Sequence, residues 1–110
     1  MIIIPDTHGL EFWKDAVSKR QDDEKIIFLG DYLDPHEGKI SKVAFEKCFD
    51  NLCQILEFKK VNEESCILLF GNHELSYIFG WWTTNPHNFC RHFSYKKFLK
   101  KEISNFQLMH

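Results

Sequence analysis

Phe28-Leu29-Gly30-Asp31-Tyr32-Leu33-Asp34-Pro35-His36 is an apolar run that stops at a glycine and gives way to two carboxylates three residues apart, with a histidine close behind. A buried strand whose carboxyl end opens into a polar site reads this way. The pattern occurs twice more. Ile2-Ile3-Ile4 runs into Pro5-Asp6-Thr7-His8-Gly9, and Ile67-Leu68-Leu69-Phe70 runs into Gly71-Asn72-His73-Glu74. Three apolar strands, each ending in oxygen and imidazole donors, point to a protein that holds metal ions.

The segments between these strands have helical periodicity. Leu10, Trp13 and Val17 fall at i, i+3 and i+7, so the spacing predicts an amphipathic helix over 10–20. The second strand is expected at 25–29, and a loop over 30–41 ends at Ser41, a helix N-cap. Phe45, Phe49, Leu52 and Leu56 then form one stripe of a long helix over 42–61, and the third strand covers 66–70. The sequence further predicts a short helix over 75–79, an aromatic-tipped loop over 80–87 and a helix over 89–102. Lys96, Lys97, Lys100 and Lys101 on that last helix read as a solvated face. The order βαβαβ with short, wholly apolar strands predicts an α/β fold around a parallel sheet covered on both faces. In such a sheet the carboxyl ends of the strands share one edge, which brings 6–9, 30–36 and 71–74 together.

Bulk properties narrow the function. The chain has 110 residues, of which 44% are apolar and 15% aromatic, enough for one core. A formal charge of −2 gives no indication of a nucleic-acid partner, and no apolar run approaches the length of a membrane span. Cys48, Cys53, Cys66 and Cys90 make no CxxC pair; free thiols and a cytoplasmic location are expected.

The residue types define the chemistry. Asp6 and His8 can turn toward one ion, and Asp31, straight after a glycine, can offer an oxygen to each of two. Asn72 adds a neutral amide oxygen. Mixed oxygen and nitrogen donors suit Mn, Fe, Zn or Mg rather than a soft metal. Two such divalent ions clamp a phosphoryl group and activate water for in-line attack. His73, beside a ligand, could protonate the departing alkoxide, with Glu74 fixing its tautomer.

Asp6-Thr7-His8, Gly30-Asp31-Tyr32-Leu33-Asp34 and Gly71-Asn72-His73-Glu74 resemble the first three motif blocks of the calcineurin-like metallophosphoesterases. The resemblance covers residues 1–75 and implies the amino-terminal half of a four-layer α/β sandwich with a dinuclear metal centre. It implies that Asp6 and His8 hold the first metal, that Asp31 bridges and that Asn72 holds the second. His73 would be the general acid, Glu74 its support, and Asp34 a residue standing behind the ligands.

The chain also departs from the family. Pro35-His36 and Leu75-Ser76-Tyr77 stand where the serine/threonine protein phosphatase branch has phosphate-gripping arginines. No block after residue 75 matches the two later histidine blocks, and His87, His92 and His110 follow neither a glycine nor an apolar strand. Residues 1–110 therefore read as a single, incomplete domain, with the missing histidines expected from a second subunit or a carboxyl-terminal half. The activity expected is hydrolysis of a phosphomonoester or phosphodiester. The alternative is a catalytically incomplete metal- or phosphate-binding module that acts with a partner. The aromatics of 75–98 exceed what so small a core buries, which predicts an exposed apolar patch there.

Overall fold

The computed structural model describes residues 1–22, 24–35, 41–79 and 89–107, with 79 and 89–93 described by backbone alone. Ile2–Ile4 forms β1, Ile26–Phe28 β2 and Cys66–Leu69 β3. Between them lie α1 (Phe12–Ser18) and α2 (Lys42–Val61). After β3 come α3 (Asn72–Phe79), α4 (Phe89–Lys101), a 3-10 turn at Ile103–Asn105, and β4 (Phe106–Gln107). The four strands are all parallel and lie in the order β1-β2-β3-β4.

The α/β fold with short parallel strands is as the sequence implies. The long helix spans 42–61 as expected, and its N-cap is Ser41, whose hydroxyl accepts from the Ala44 N–H at 3.0 Å. Lys59 and Lys60 occupy its last turn, where the helix dipole favours cations. Two details differ. Helix α3 starts at Asn72 rather than Leu75, so His73 and Glu74 belong to its first turn. Strand β4 has only two residues, too few for any periodicity, and it exists because the 3-10 turn delivers Phe106 beside Leu68.

A strand order that steps one way, with right-handed crossovers, puts every connecting helix on one face. The burial pattern agrees. Ile4, Phe28, Leu68 and Phe106 are in register across the sheet and buried. They share one core with Trp13 of α1, Leu52 and Ile55 of α2, Tyr77 of α3, and Tyr95 and Leu99 of α4. Trp13 also donates its indole N–H to Asn51 Oδ1 at 2.9 Å, which ties α1 to α2.

The opposite face carries the row Ile3, Ile27 and Ile67, with Leu69 beyond it. Ile3 is 53% exposed, the other three are partly exposed, and none belongs to the core. The expectation of a sheet covered on both faces is corrected: among the described residues the helices cover one. Of the eight aromatics on which the expected apolar patch over 75–98 rests, three have described side chains. Tyr77 and Tyr95 are buried, and Phe98 packs on Phe49 at a ring distance of 4.8 Å. Phe79, Trp81, Trp82, Phe89 and Phe93 have side chains outside the described residues.

Candidate metal centre

The three strand-end loops meet at one edge of the sheet because the strands are parallel and in register. Their contact is close. Gly30 and Gly71 lie back to back: a Cβ on Gly30 would sit 2.2 Å from the Gly71 nitrogen, and one on Gly71 would sit 2.2 Å from Asp31 Oδ1. Gly30 has φ of 114°, open to glycine and strained for other residues. Asp31 and His8 themselves have positive φ, 54° and 45°, so two of the expected ligands sit in left-handed backbone. Such conformations persist only where surrounding contacts hold them, and they concentrate at functional sites.

Glu74 supplies that hold at Asp31. Its fully buried carboxylate accepts from the backbone N–H groups of Asp31 (2.6 Å), Tyr32 (2.9 Å), Leu33 (3.3 Å) and Gly71 (3.1 Å). Burial, and after it the Asp31 carboxylate, push the Glu74 carboxyl up to about 7. Glu74 was expected to fix the His73 tautomer. Its oxygens bind the 30–33 loop and Gly71 instead, and His73 is held by Asp34.

Asp6, His8 and Asp31 offer ligand atoms that all lie within 4.8 Å of one another. His8 Nδ1 lies 2.6 Å from the Asp34 carbonyl oxygen. A carbonyl can only accept, so Nδ1 carries the proton, and Nε2 faces Asp6 Oδ2 at 4.0 Å on the side of the carboxylates. Partial burial, and then the nearby Asp31 carboxylate, hold the Asp6 carboxyl above its usual range. Like charges gathered this closely, with a pre-set imidazole, fit a divalent cation. Asn72 is exposed and opens α3; the next N–H, of His73, donates to Asp31 Oδ1 at 2.9 Å. Asn72 thus stands on the α3 side of Asp31.

The general-acid candidate stands beside this cluster. His73 Nδ1 lies 2.6 Å from Asp34 Oδ2, and its ring meets that of His8 edge-on at 5.6 Å. An ionised carboxylate only accepts, so the proton is on Nδ1. The hydrogen bond to Asp34 outweighs desolvation and raises the His73 pKa. Asp34, 3% exposed, also accepts from the Tyr77 hydroxyl at 2.5 Å on Oδ1.

All seven site residues expected from sequence, Asp6, His8, Asp31, Asp34, Asn72, His73 and Glu74, belong to the three strand-end segments that meet here. Tyr77 was missed. It follows His73 by four residues, a signal that becomes legible only when α3 is started at Asn72. The side chains of His36, His87, His92 and His110, considered as substitutes for missing ligands or arginines, lie outside the described residues. Cys48, Cys53 and Cys66 are free thiols, and burial pushes Cys48 up to about 12, far from a thiolate ligand; Cys90 lies outside the described side chains.

A family model for calcineurin-like phosphoesterases matches residues 2–109, well past residue 75, where the recognisable motifs stop. No curated protein matches the chain, and no solved structure does.

Proposed function

Since the chain belongs to the calcineurin-like phosphoesterase family, we propose that it is a metal-dependent hydrolase of phosphate esters, acting on a phosphomonoester or phosphodiester through two divalent ions. The observation that carries this reading is the Asp6–His8–Asp31 cluster at the carboxyl edge of the sheet. Asp6 and His8 would hold one ion, Asp31 would bridge, and Asn72 would hold the other; Mn, Fe, Zn or Mg suits these donors. Divalent ions in such a site neutralise and polarise the phosphoryl group.

The chain's own residues set the rest. Glu74 holds the Asp31 loop by its backbone, so that the bridging carboxylate cannot relax away from its neighbours. His73, with Nδ1 on Asp34, has Nε2 left to deliver a proton to the departing oxygen. Its side chain is 34% exposed, open to a substrate. No helix among the described residues is long and apolar enough to cross a membrane. Free thiols favour a cytoplasmic location.

A second reading is a binding module whose remaining ligands come from a second subunit or a further half of the domain. It is favoured by the donor count: the group of close donors found among the described residues has three members, Asp6, His8 and Asp31. Such centres offer about four or more donors per ion. One experiment separates the two readings. The protein is loaded with Mn²⁺, freed of excess by gel filtration and assayed for metal by elemental analysis, with Asp31→Asn in parallel. About two ions per chain, lost in the variant, together with hydrolysis of p-nitrophenyl phosphate or its diester, supports the enzyme. One weak ion without hydrolysis supports the partner-dependent module. No metal in either protein would overturn both.

A further inference from the structure

Asp34 is gripped from one helix by two donors a turn apart. His73 and Tyr77 occupy i and i+4 of α3, so their side chains share a face and meet the same carboxylate. His73 Nδ1 takes Oδ2 and the Tyr77 hydroxyl takes Oδ1. We propose that Tyr77 is a positioning residue for His73, its hydroxyl setting the plane of the Asp34 carboxylate so that Oδ2 holds the Nδ1–H and turns Nε2, which carries the acid's proton in the imidazolium, toward the leaving group. The proposal deepens the phosphoesterase reading and rests on it for the role of His73.

Geometry separates this role from mere packing. A carboxylate on two flexible bonds can rotate, and one donor on one oxygen leaves that rotation open. A second donor on the other oxygen closes it. Tyr77 is held in place here: it is 2% exposed, and its ring meets Tyr95 edge-on at 5.1 Å. Burial and the Asp34 charge push the Tyr77 hydroxyl well above its usual range, so it remains a donor. The bond is charge-assisted, among the stronger kinds a side chain makes. The same aspartate fixes His8 through its backbone carbonyl. Tyr77 therefore acts on the general acid through a residue that also orients a metal ligand.

The test uses the metal-free protein with ¹⁵N-labelled histidine, the His73 signals being assigned by their loss in His73→Gln. Tyr77→Phe keeps the ring against Tyr95 and removes only the hydroxyl. The expected result is that the His73 Nδ1–H resonance broadens through faster exchange and that, in the neutral imidazole, an Nε2–H tautomer becomes detectable. The His8 Nδ1–H resonance should stay in place and so report an intact fold. Unchanged His73 signals in folded Tyr77→Phe would overturn the proposal. Should Tyr77→Phe fail to fold, 3,5-difluorotyrosine at Tyr32, Tyr77 and Tyr95 keeps the shapes and strengthens the donors; the His73 resonance must then move, and a static resonance overturns the proposal. With Mn²⁺ bound, hydrolysis by Tyr77→Phe should show kcat lower by about tenfold and KM unchanged. A wild-type protein that shows the NMR response but hydrolyses neither p-nitrophenyl ester would overturn the phosphoesterase reading and leave Tyr77 as the residue that sets the imidazole.

Discussion

Glu74 is fully buried and accepts four backbone N–H groups. Its truncation would leave those donors in a dry interior at about 1 kcal/mol or more each. Glu74→Ala should therefore cost at least about 3 kcal/mol in a urea titration, whereas Glu57→Ala, exposed on α2, should stay within about 0.5 kcal/mol. The pH dependence also follows from single residues. Glu74 is raised from 4.5 to about 7, and His73 is raised above 6.5. Each binds its proton more tightly in the folded chain, so between about 4.5 and 7 the native state holds more protons than the unfolded one. Their stabilisation is complete below the unfolded values and lost as pH rises through the folded ones. The metal-free protein should show a urea midpoint that falls between pH 5 and 8, and Asp34→Asn should remove the His73 part of that slope. A midpoint that rises over this interval would contradict both shifts. Asp34 and Glu74 were both legible in the sequence as acids beside the site, but their roles were not. Which carboxylate faces the imidazole and which faces the backbone depends on where the loop and helix cross.

The strand-to-loop junctions carry the site, and their glycines are there for contact between elements. At Gly30 a methyl group would strike the Gly71 backbone, in addition to the strain of φ at 114°. Gly30→Ala should therefore destabilise by several kcal/mol, about 3 or more, read as a shift in thermal or urea unfolding. Gly71→Ala acts elsewhere, since its Cβ would strike Asp31 Oδ1. Mn²⁺ retained after gel filtration should fall in Gly71→Ala by at least as large a factor as in Asp31→Asn. Sequence located β1, β2, β3, α2 and the Ser41 cap because each has a strong local signature: β-branched runs, a four-phenylalanine-and-leucine stripe, a capping hydroxyl. The start of α3 was misplaced because Asn72, His73 and Glu74 read as a ligand, a general acid and its support rather than as a first helical turn. That turn is what puts Tyr77 over Asp34.

At the scale of the whole molecule the sheet has two unequal faces, and adjacent residues of β3 report them separately. Leu68 lies in the core and Ile67 on the open row with Ile3 and Ile27. Leu68→Ala should cost about 2–5 kcal/mol, the range for emptying a core site, while Ile67→Thr should cost less than about 1 kcal/mol. Binding of a hydrophobic dye should drop in Ile67→Thr and not in Val61→Thr, an exposed site at the end of α2. Equal costs at 67 and 68 would mean that the open row is covered. By itself the sequence determined the α/β class, the parallel direction of β1, β2 and β3, and the three strand-end segments that meet at the carboxyl edge. These rest on local patterns, namely apolar runs ending in glycine or proline and polar donors, which need no knowledge of the rest of the chain. Only the tertiary structure decided that the helices share one face, that Glu74 binds backbone while Asp34 binds His73, and that Tyr77 joins them. Those depend on the direction in which strands are added and on which atoms meet across more than forty residues of chain, as Tyr77 and Asp34 do. No local pattern encodes a distance of that kind.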